Sequence, residues 1–293
     1  MKLHARSIST NAWDILRSAT GTAQVLGQFR RAVDLLVDDA TNDAANDAAS
    51  CCVIALVLPE VGNGPFNIVV AALPDAPLPR HVSLAWTSKT LHIGPWQLGF
   101  DAKTRRWNPR PPWDTLTLHP ARLAQLRDIA MSTARARASS GSPFVEFLLG
   151  NPLSIVTTLG RALAANDAVA IHNAAAAIAG LGPGLTPSGD DFLAGVMLGM
   201  KMRSGELTDH ASCLLPPASC IFSATAPRTT RLSRAFLHVA SQGLADEHWH
   251  TLLAALSTEN PAQLEHAATN VLNCGASSGL DMVAGFLWQL KAL

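Results

Sequence analysis

Apolar positions along this chain change rhythm once. Between about Gly21 and Asp101 they come in short runs. GTAQVLGQF, CCVIALVLP, FNIVVAAL, VSLAWT and TLHIGPWQLGF are rich in Val, Ile, Leu and aromatic residues, and Gly, Pro and Asn separate them. Short β-branched runs bounded by turn residues predict strands. The polar, alanine-biased stretch from Asp38 to Ser50 predicts a solvated loop. KTRRWNPRPPWDTLTLHP follows, with Pro109, Pro111, Pro112 and Pro120, and reads as a connector whose basic side chains are solvated.

After Pro120 the spacing turns helical. Leu123, Leu126, Ile129 and Ala130 fall on one face, Asp167 to Ala179 is dominated by alanine, and Leu232, Phe236 and Val239 mark a helix over Thr230–Ala240. Pro261 opens another helix as a first-turn proline, and Asp281 to Leu290 closes the chain as a helix. The pattern predicts an α+β fold: a small N-terminal β-barrel-like sheet in residues 1–115, then a mainly α-helical domain in 116–293 with about eight helices.

The helical half carries an internal repeat. GLGPGLTPSGDDFLAG, Gly180 to Gly195, recurs ninety residues later as GASSGLDMVAG, Gly275 to Gly285. Ser188-Gly189-Asp190-Asp191 aligns with Ser278-Gly279-Leu280-Asp281, and His172 and His266 stand in the alanine-rich helices upstream. Each copy reads as a glycine loop that starts a helix. Helix N-termini offer unpaired N–H groups and the positive end of the dipole, which favour an anion. A duplicated unit about a pseudo-twofold axis brings the two N-termini together.

A plainer reading stands beside this one. Ser188 with Asp191, and Ser278 with Asp281, have capping-box spacing, in which the side chains satisfy the helix's own first N–H groups. The first copy exceeds what capping requires, with Gly180, Gly182, Gly184, Pro183, Pro187, Thr186 and a second carboxylate, Asp190. A third segment, PRTTRLS, sets Arg228, Thr229 and Thr230 just before a helix. Arg and Thr donors suit phosphate or carboxylate, and a threonine N-cap with a solvated Arg228 is the simpler alternative.

Charge and composition narrow the class. Lys plus Arg is 22 and Asp plus Glu is 22, which disfavours nucleic acid and anionic membrane as partners. No apolar run reaches the ~18–20 residues of a membrane span, and the N-terminus has no secretion-type apolar core, so a cytoplasmic protein is expected. Five cysteines without zinc-type spacing are read as reduced. His248 and His250 point apart on a helix. Asp190, Asp191 and Asp281 form an alternative Mg²⁺ site, since hard cations take carboxylate oxygens; otherwise no cofactor is expected.

The blocks GLGPGLTPSGDDFLAG, RTTRLSRAFLHVASQG and CGASSGLDMVAGFL resemble the three signature blocks of a bacterial family, formerly a domain of unknown function. Its characterised branch is a subunit of the oxamate (oxalurate) carbamoyltransferase of anaerobic allantoin breakdown. GQFRRAVDLLV and GPFNIVV resemble that family's β segments. Where relatives tend to carry an aromatic residue or histidine near the second loop, this chain has Cys274, Ala276 and Leu280.

The resemblance implies oxalurate plus phosphate giving oxamate plus carbamoyl phosphate, in a complex with two larger subunits. Phosphorolysis of that kind needs a phosphate cradle, a donor to the carbamoyl oxygen and proton transfer at nitrogen. The backbone N–H groups of Gly189 and Gly279, with Thr186, Ser188 and Ser277, are the expected cradle for a small anionic substrate, phosphate, carbamoyl or oxamate-like. Gly184, Asp191, Arg228, Thr229, Thr230, Ser278 and Asp281 complete the expected binding set. Asp190 is the expected general base, because capping occupies Asp191 and Asp281. Two other functions fit the same loops: a Mg²⁺-dependent hydrolase of a small amide or phosphorylated substrate, and a non-catalytic scaffold subunit that binds a metabolite.

Overall fold

The computed structural model describes residues 2–18, 21–37, 52–87, 89–137, 141–204, 217–258 and 260–293. The expected loop at Asp38–Ser50 lies outside them, as do Cys51 and Cys213. Two compact units result, Met1–Pro109 with Ala245–Glu247, and Arg110–Leu244 with His248–Leu293.

The first unit is an eight-stranded closed barrel with one added strand. Its strands are β1 (Lys2–Ser9), β2 (Gly21–Gln28), β3 (Ala32–Val37), β4 (Val53–Val57), β5 (Asn67–Val70), β6 (His81–Thr87), β7 (Thr90–Ile93), β8 (Trp96–Gly99) and β9 (Arg105–Trp107). The sheet runs β5-β4-β3-β2-β6-β7-β8-β1-β9, and β1 closes it by pairing antiparallel with β5. The other edge of β1 pairs with β8 at Lys2–His4 and with β9 at Ser7–Ser9.

Alternation drives this closure. In β1, Leu3 and Ala5 turn inward while Lys2, His4 and Arg6 face out, so one face of every strand feeds a shared apolar interior. Helix α1 (Thr10–Ser18) packs against β1 and β4, with Ala12 and Leu16 fully buried. The run TLHIGPWQLGF, read as one strand, is a hairpin, because Gly94 turns at φ +52° between β7 and β8.

Ten α-helices follow among the described residues, more than the eight or so expected: α2 (Pro120–Ala136), α3 (Pro143–Leu148), α4 (Ser154–Ala165), α5 (Ala168–Ile178), α6 (Ser188–Ser204), α7 (Pro217–Thr225), α8 (Arg231–Ser241), α9 (Glu247–Leu256), α10 (Pro261–Leu272) and α11 (Ser278–Gln289). Local signals set several of their starts. Asp167 caps α5 through the N–H groups of Val169 and Ala170, and Asn260 caps α10 with Pro261 in its first turn.

Helix α6 is buried on every side from Ser188 through Gly199, so it forms the core of the helical unit. It lies against α11 at backbone contact. A Cβ on Gly195 would sit 1.9 Å from the Met282 carbonyl oxygen, and one on Gly285 would sit 2.0 Å from the Phe192 carbonyl oxygen. Phe192 and Met282 are equivalent positions of the repeat, so the two contacts are reciprocal, as a local twofold axis requires. The same relation places α5 before α6 and α10 before α11. Only glycine permits this approach.

Candidate functional site at the joined N-termini of α6 and α11

Close packing of α6 on α11 fixes where the two repeated loops end. The Thr186 and Ser278 hydroxyls lie 3.2 Å apart, and those of Ser188 and Ser277 lie 3.4 Å apart. Each bond joins one copy of the repeat to the other.

The carboxylates cross in the same way. Asp191 of the first copy lies by the hydroxyls of Ser278 and Thr186, and Asp281 of the second by those of Ser142, Ser277 and Ser188. Ser142 Oγ, at the N-cap of α3, donates to Asp281 Oδ1 at 2.5 Å. The capping box expected of Ser278 with Asp281 is not met: the N-cap of α11 is Ser277, which makes no side-chain cap bond, and Asp281 accepts from Ser142 of another element. Asp191 and Asp281 are 7% and 0% exposed, and Oδ2 of each has no hydrogen-bond partner. A buried acceptor left open costs about 1–3 kcal/mol, so two of them side by side are a feature to explain.

Burial raises both groups because it penalises the charged form. Asp191 is pushed up to about 8, with the charges of Asp281 and Asp190 adding to the effect and the Ser278 and Thr186 hydroxyls opposing it. Asp281 rises only to about 6, since hydroxyls from Ser142, Ser277 and Ser188 oppose its burial. Asp191 is therefore held in its protonated form more strongly than Asp281.

Asp190 sits differently from its expected role. Its Oδ1 accepts from the Gly180 N–H at 2.9 Å, and its Oδ2 accepts from Ser233 Oγ at 2.7 Å and from Thr229 Oγ1. These bonds make it the brace that ties the first glycine loop to α8. Both of its oxygens are thereby occupied by protein donors. Among the described residues no group of three His, Cys, Asp or Glu side chains is arranged to hold a metal.

The expected backbone cradle also differs. The Gly189 N–H donates to the Leu181 carbonyl at 2.8 Å, and the Gly279 N–H donates to the Cys274 carbonyl at 3.0 Å. Both glycines are instead needed for space, since a Cβ on either would fall about 2 Å from the Ile178 or Val271 carbonyl oxygen. What remains for a ligand is the hydroxyl group of Thr186, Ser188, Ser277 and Ser278, with two carboxyls beneath.

The third segment reaches this loop as support. Thr229 bonds Asp190, Thr230 caps α8 through the Ser233 N–H while its hydroxyl donates to the Leu185 carbonyl, and Arg228 is exposed. Gly184 is exposed at φ +99°. Gly182, at φ +105°, would set a Cβ 3.0 Å from the Ser188 nitrogen, so it lets the loop fold back over the helix start. Two open recesses of the helical unit, about 680 and 780 Å³, lie elsewhere, one beside Arg127 and Phe147 and the other beside Met197 and Lys201. Neither is lined by the hydroxyl cluster.

Ser142 and Ser233 were not among the residues expected from sequence. Ser233 lies within the third block, but nothing marks its partner. Ser142 is 139 residues from Asp281, and its only local signal is an N-cap serine before Pro143.

Residues 178–290 match the family model of the oxamate carbamoyltransferase subunit AllH. This stretch begins at the last residue of α5 and ends just past α11, so it contains both loops, both crossed carboxylates and the α8 brace. Over that stretch the chain is similar to the oxamate carbamoyltransferase subunit AllH. Of the groups that build the site, Ser142 alone lies outside the AllH region. No solved structure matches this chain. Among the described residues no helix is long and apolar enough to cross a membrane.

Proposed function

We propose that this chain is a carbamoyltransferase subunit of oxamate metabolism, and that the joined N-termini of α6 and α11 hold the substrate. The observation that carries the reading is the crossed arrangement of two buried carboxyls, each with an open oxygen, beneath four hydroxyls. It offers donors and acceptors together, as a carbamoyl group with an anionic neighbour requires.

The chemistry follows from those groups. A phosphate oxygen attacks the carbamoyl carbon of an N-carbamoyl amide, the C–N bond breaks, and the nitrogen leaves as an amide after gaining a proton. The hydroxyls of Thr186, Ser188, Ser277 and Ser278, set at two helix N-termini, stabilise the oxyanion that forms. Removing one such donor typically costs on the order of 10²–10³ in rate. Asp191, protonated at neutral pH, gives the proton to the leaving nitrogen. The proton shed by the phosphate oxygen restores it. Asp281, less raised, stays ionised, and two carboxyls whose environments push them apart divide acid and acceptor roles. Asp190 positions the loop and takes no part in proton transfer.

The name of the matched family also implies partner subunits. The loop above the hydroxyls is exposed from Leu181 to Leu185, with both leucines 39% exposed, so a partner surface has room to cover it.

Calorimetric titration of the full-length chain with phosphate and carbamoyl phosphate, with and without Mg²⁺, tests the site. Anion binding without metal, weakened by Ser188→Ala, is the expected result. Binding that requires Mg²⁺ and ignores Ser188 would favour a metal-dependent hydrolase instead.

A further inference from the structure

Resting on the carbamoyl-site reading, we infer that Asp281 Oδ2 accepts an N–H of the carbamoyl –NH₂ and so selects a carbamoyl group over an acyl group of the same shape. Three observations bear on it. Asp281 is fully buried and its Oδ2 has no partner, while Oδ1 is anchored by Ser142 at 2.5 Å, so the open oxygen is fixed in direction. Among the described residues no cation bears on the carboxyl, which burial and the nearby hydroxyls of Ser142, Ser277 and Ser188 affect most. The Ser188 and Ser277 hydroxyls beside it are 3.4 Å apart and bridge the two repeats, which puts donors for the carbamoyl oxygen next to an acceptor for its nitrogen.

An amide presents that pair of edges, one donor and one acceptor, on adjacent sides of a plane. A methyl group in place of –NH₂ leaves the buried oxygen open and gains nothing. Sites built to bond an N–H or O–H reject analogues without it far more strongly than apolar pockets reject a missing methylene. Ser142 is by the same argument a positioning residue. It holds Asp281 from outside the family-matched region.

Carbamoyl phosphate and acetyl phosphate differ only by –NH₂ against –CH₃. Their affinities for the full-length chain are measured beside inorganic phosphate, for the native protein, Asp281→Asn, Ser142→Ala and Ser188→Ala, each checked for folding by thermal melting. The expected result is a preference for carbamoyl over acetyl phosphate of about tenfold or more in the native chain, the ratio for one hydrogen bond to a charged group. Asp281→Asn, whose neutral amide oxygen is a weaker acceptor than a carboxylate, lowers that ratio, and Ser142→Ala reduces it while the phosphate affinity holds. Equal affinities in the native chain, with Ser188→Ala weakening both, leave the site in place and overturn the role of Asp281. A ratio unchanged by Asp281→Asn overturns it as well. If none of the three anions binds, the carbamoyl-site reading itself fails and the inference goes with it.

Discussion

Replacing Asp191 by Asn changes how stability depends on pH, and the size of the change follows from the burial of one carboxyl. In the unfolded chain this group titrates near 3.8; in the fold burial holds it near 8. Between those values the folded protein keeps a proton that the unfolded chain has released. The stabilisation is complete below about pH 4 and is lost as pH rises through about 8. The slope in that window is about 1.4 kcal/mol per pH unit. Over the three units from pH 4 to 7 it amounts to about 4 kcal/mol, a large share of a typical domain's stability. Asn has the same shape and cannot ionise. Its own cost in the site, an amide among hydroxyls, is the same at every pH and shifts the curve without tilting it.

Urea unfolding followed by helix circular dichroism, at half-unit steps from pH 4.5 to 8, gives both curves. The difference between native and Asp191→Asn stability should move by about 1.4 kcal/mol per unit towards favouring the variant as pH rises. Asp34 is present in both proteins and drops out of the difference, while Asp281, whose charge bears on Asp191, bends it over the part of the range in which it titrates. Parallel curves would refute the reasoning, because they would mean that Asp191 is ionised in the fold as freely as in the unfolded chain.

The remaining predictions concern what holds the site together. Gly195→Ala or Gly285→Ala sets a methyl about 2 Å from a carbonyl oxygen of the opposite helix. Each should lower stability by roughly 1–3 kcal/mol or more, seen as a drop in Tm, and weaken phosphate binding as the hydroxyl pairs part. Asp190→Ala leaves the Gly180 N–H and the Ser233 and Thr229 hydroxyls without their acceptor. It should cost several kcal/mol in denaturant unfolding, while the turnover of the folded fraction shifts much less than for Asp191→Asn. An Asp190→Ala protein that is fully stable yet inactive would restore that residue to the chemistry.

Much of this architecture is written in local pattern. Alternating apolar residues mark most barrel strands, and helical spacing marks α2, α5, α8, α10 and α11. Strand β1 carries the same alternation, Leu3 and Ala5 against Lys2, His4 and Arg6, in a segment too polar to stand out as an apolar run. The repeat in the helical half points to both loops of the candidate site.

The roles of the carboxylates are a different matter. S-x-x-D spacing serves equally for a helix that caps itself and for two helices that cap across an axis, and only the packing of α6 on α11 decides between them. Adjacent residues on a helix point about 100° apart, which sends Asp190 to the glycine loop and Asp191 to the opposite repeat. The Gly189 and Gly279 N–H groups are taken by carbonyls that no short-range signal places there. Ser142 joins Asp281 through the tertiary fold alone.

The most direct test of the proposed reaction is carbamoyl phosphate formation from oxalurate and phosphate, measured with the chain assembled with the partner subunits that the AllH name implies. Ser188→Ala combined with Ser278→Ala removes one hydroxyl from each repeat. A kcat lower by on the order of 10²-fold or more, with assembly intact, is the expected result. An unchanged kcat in a complex that assembles normally would contradict the placement of the reaction at the joined N-termini of α6 and α11.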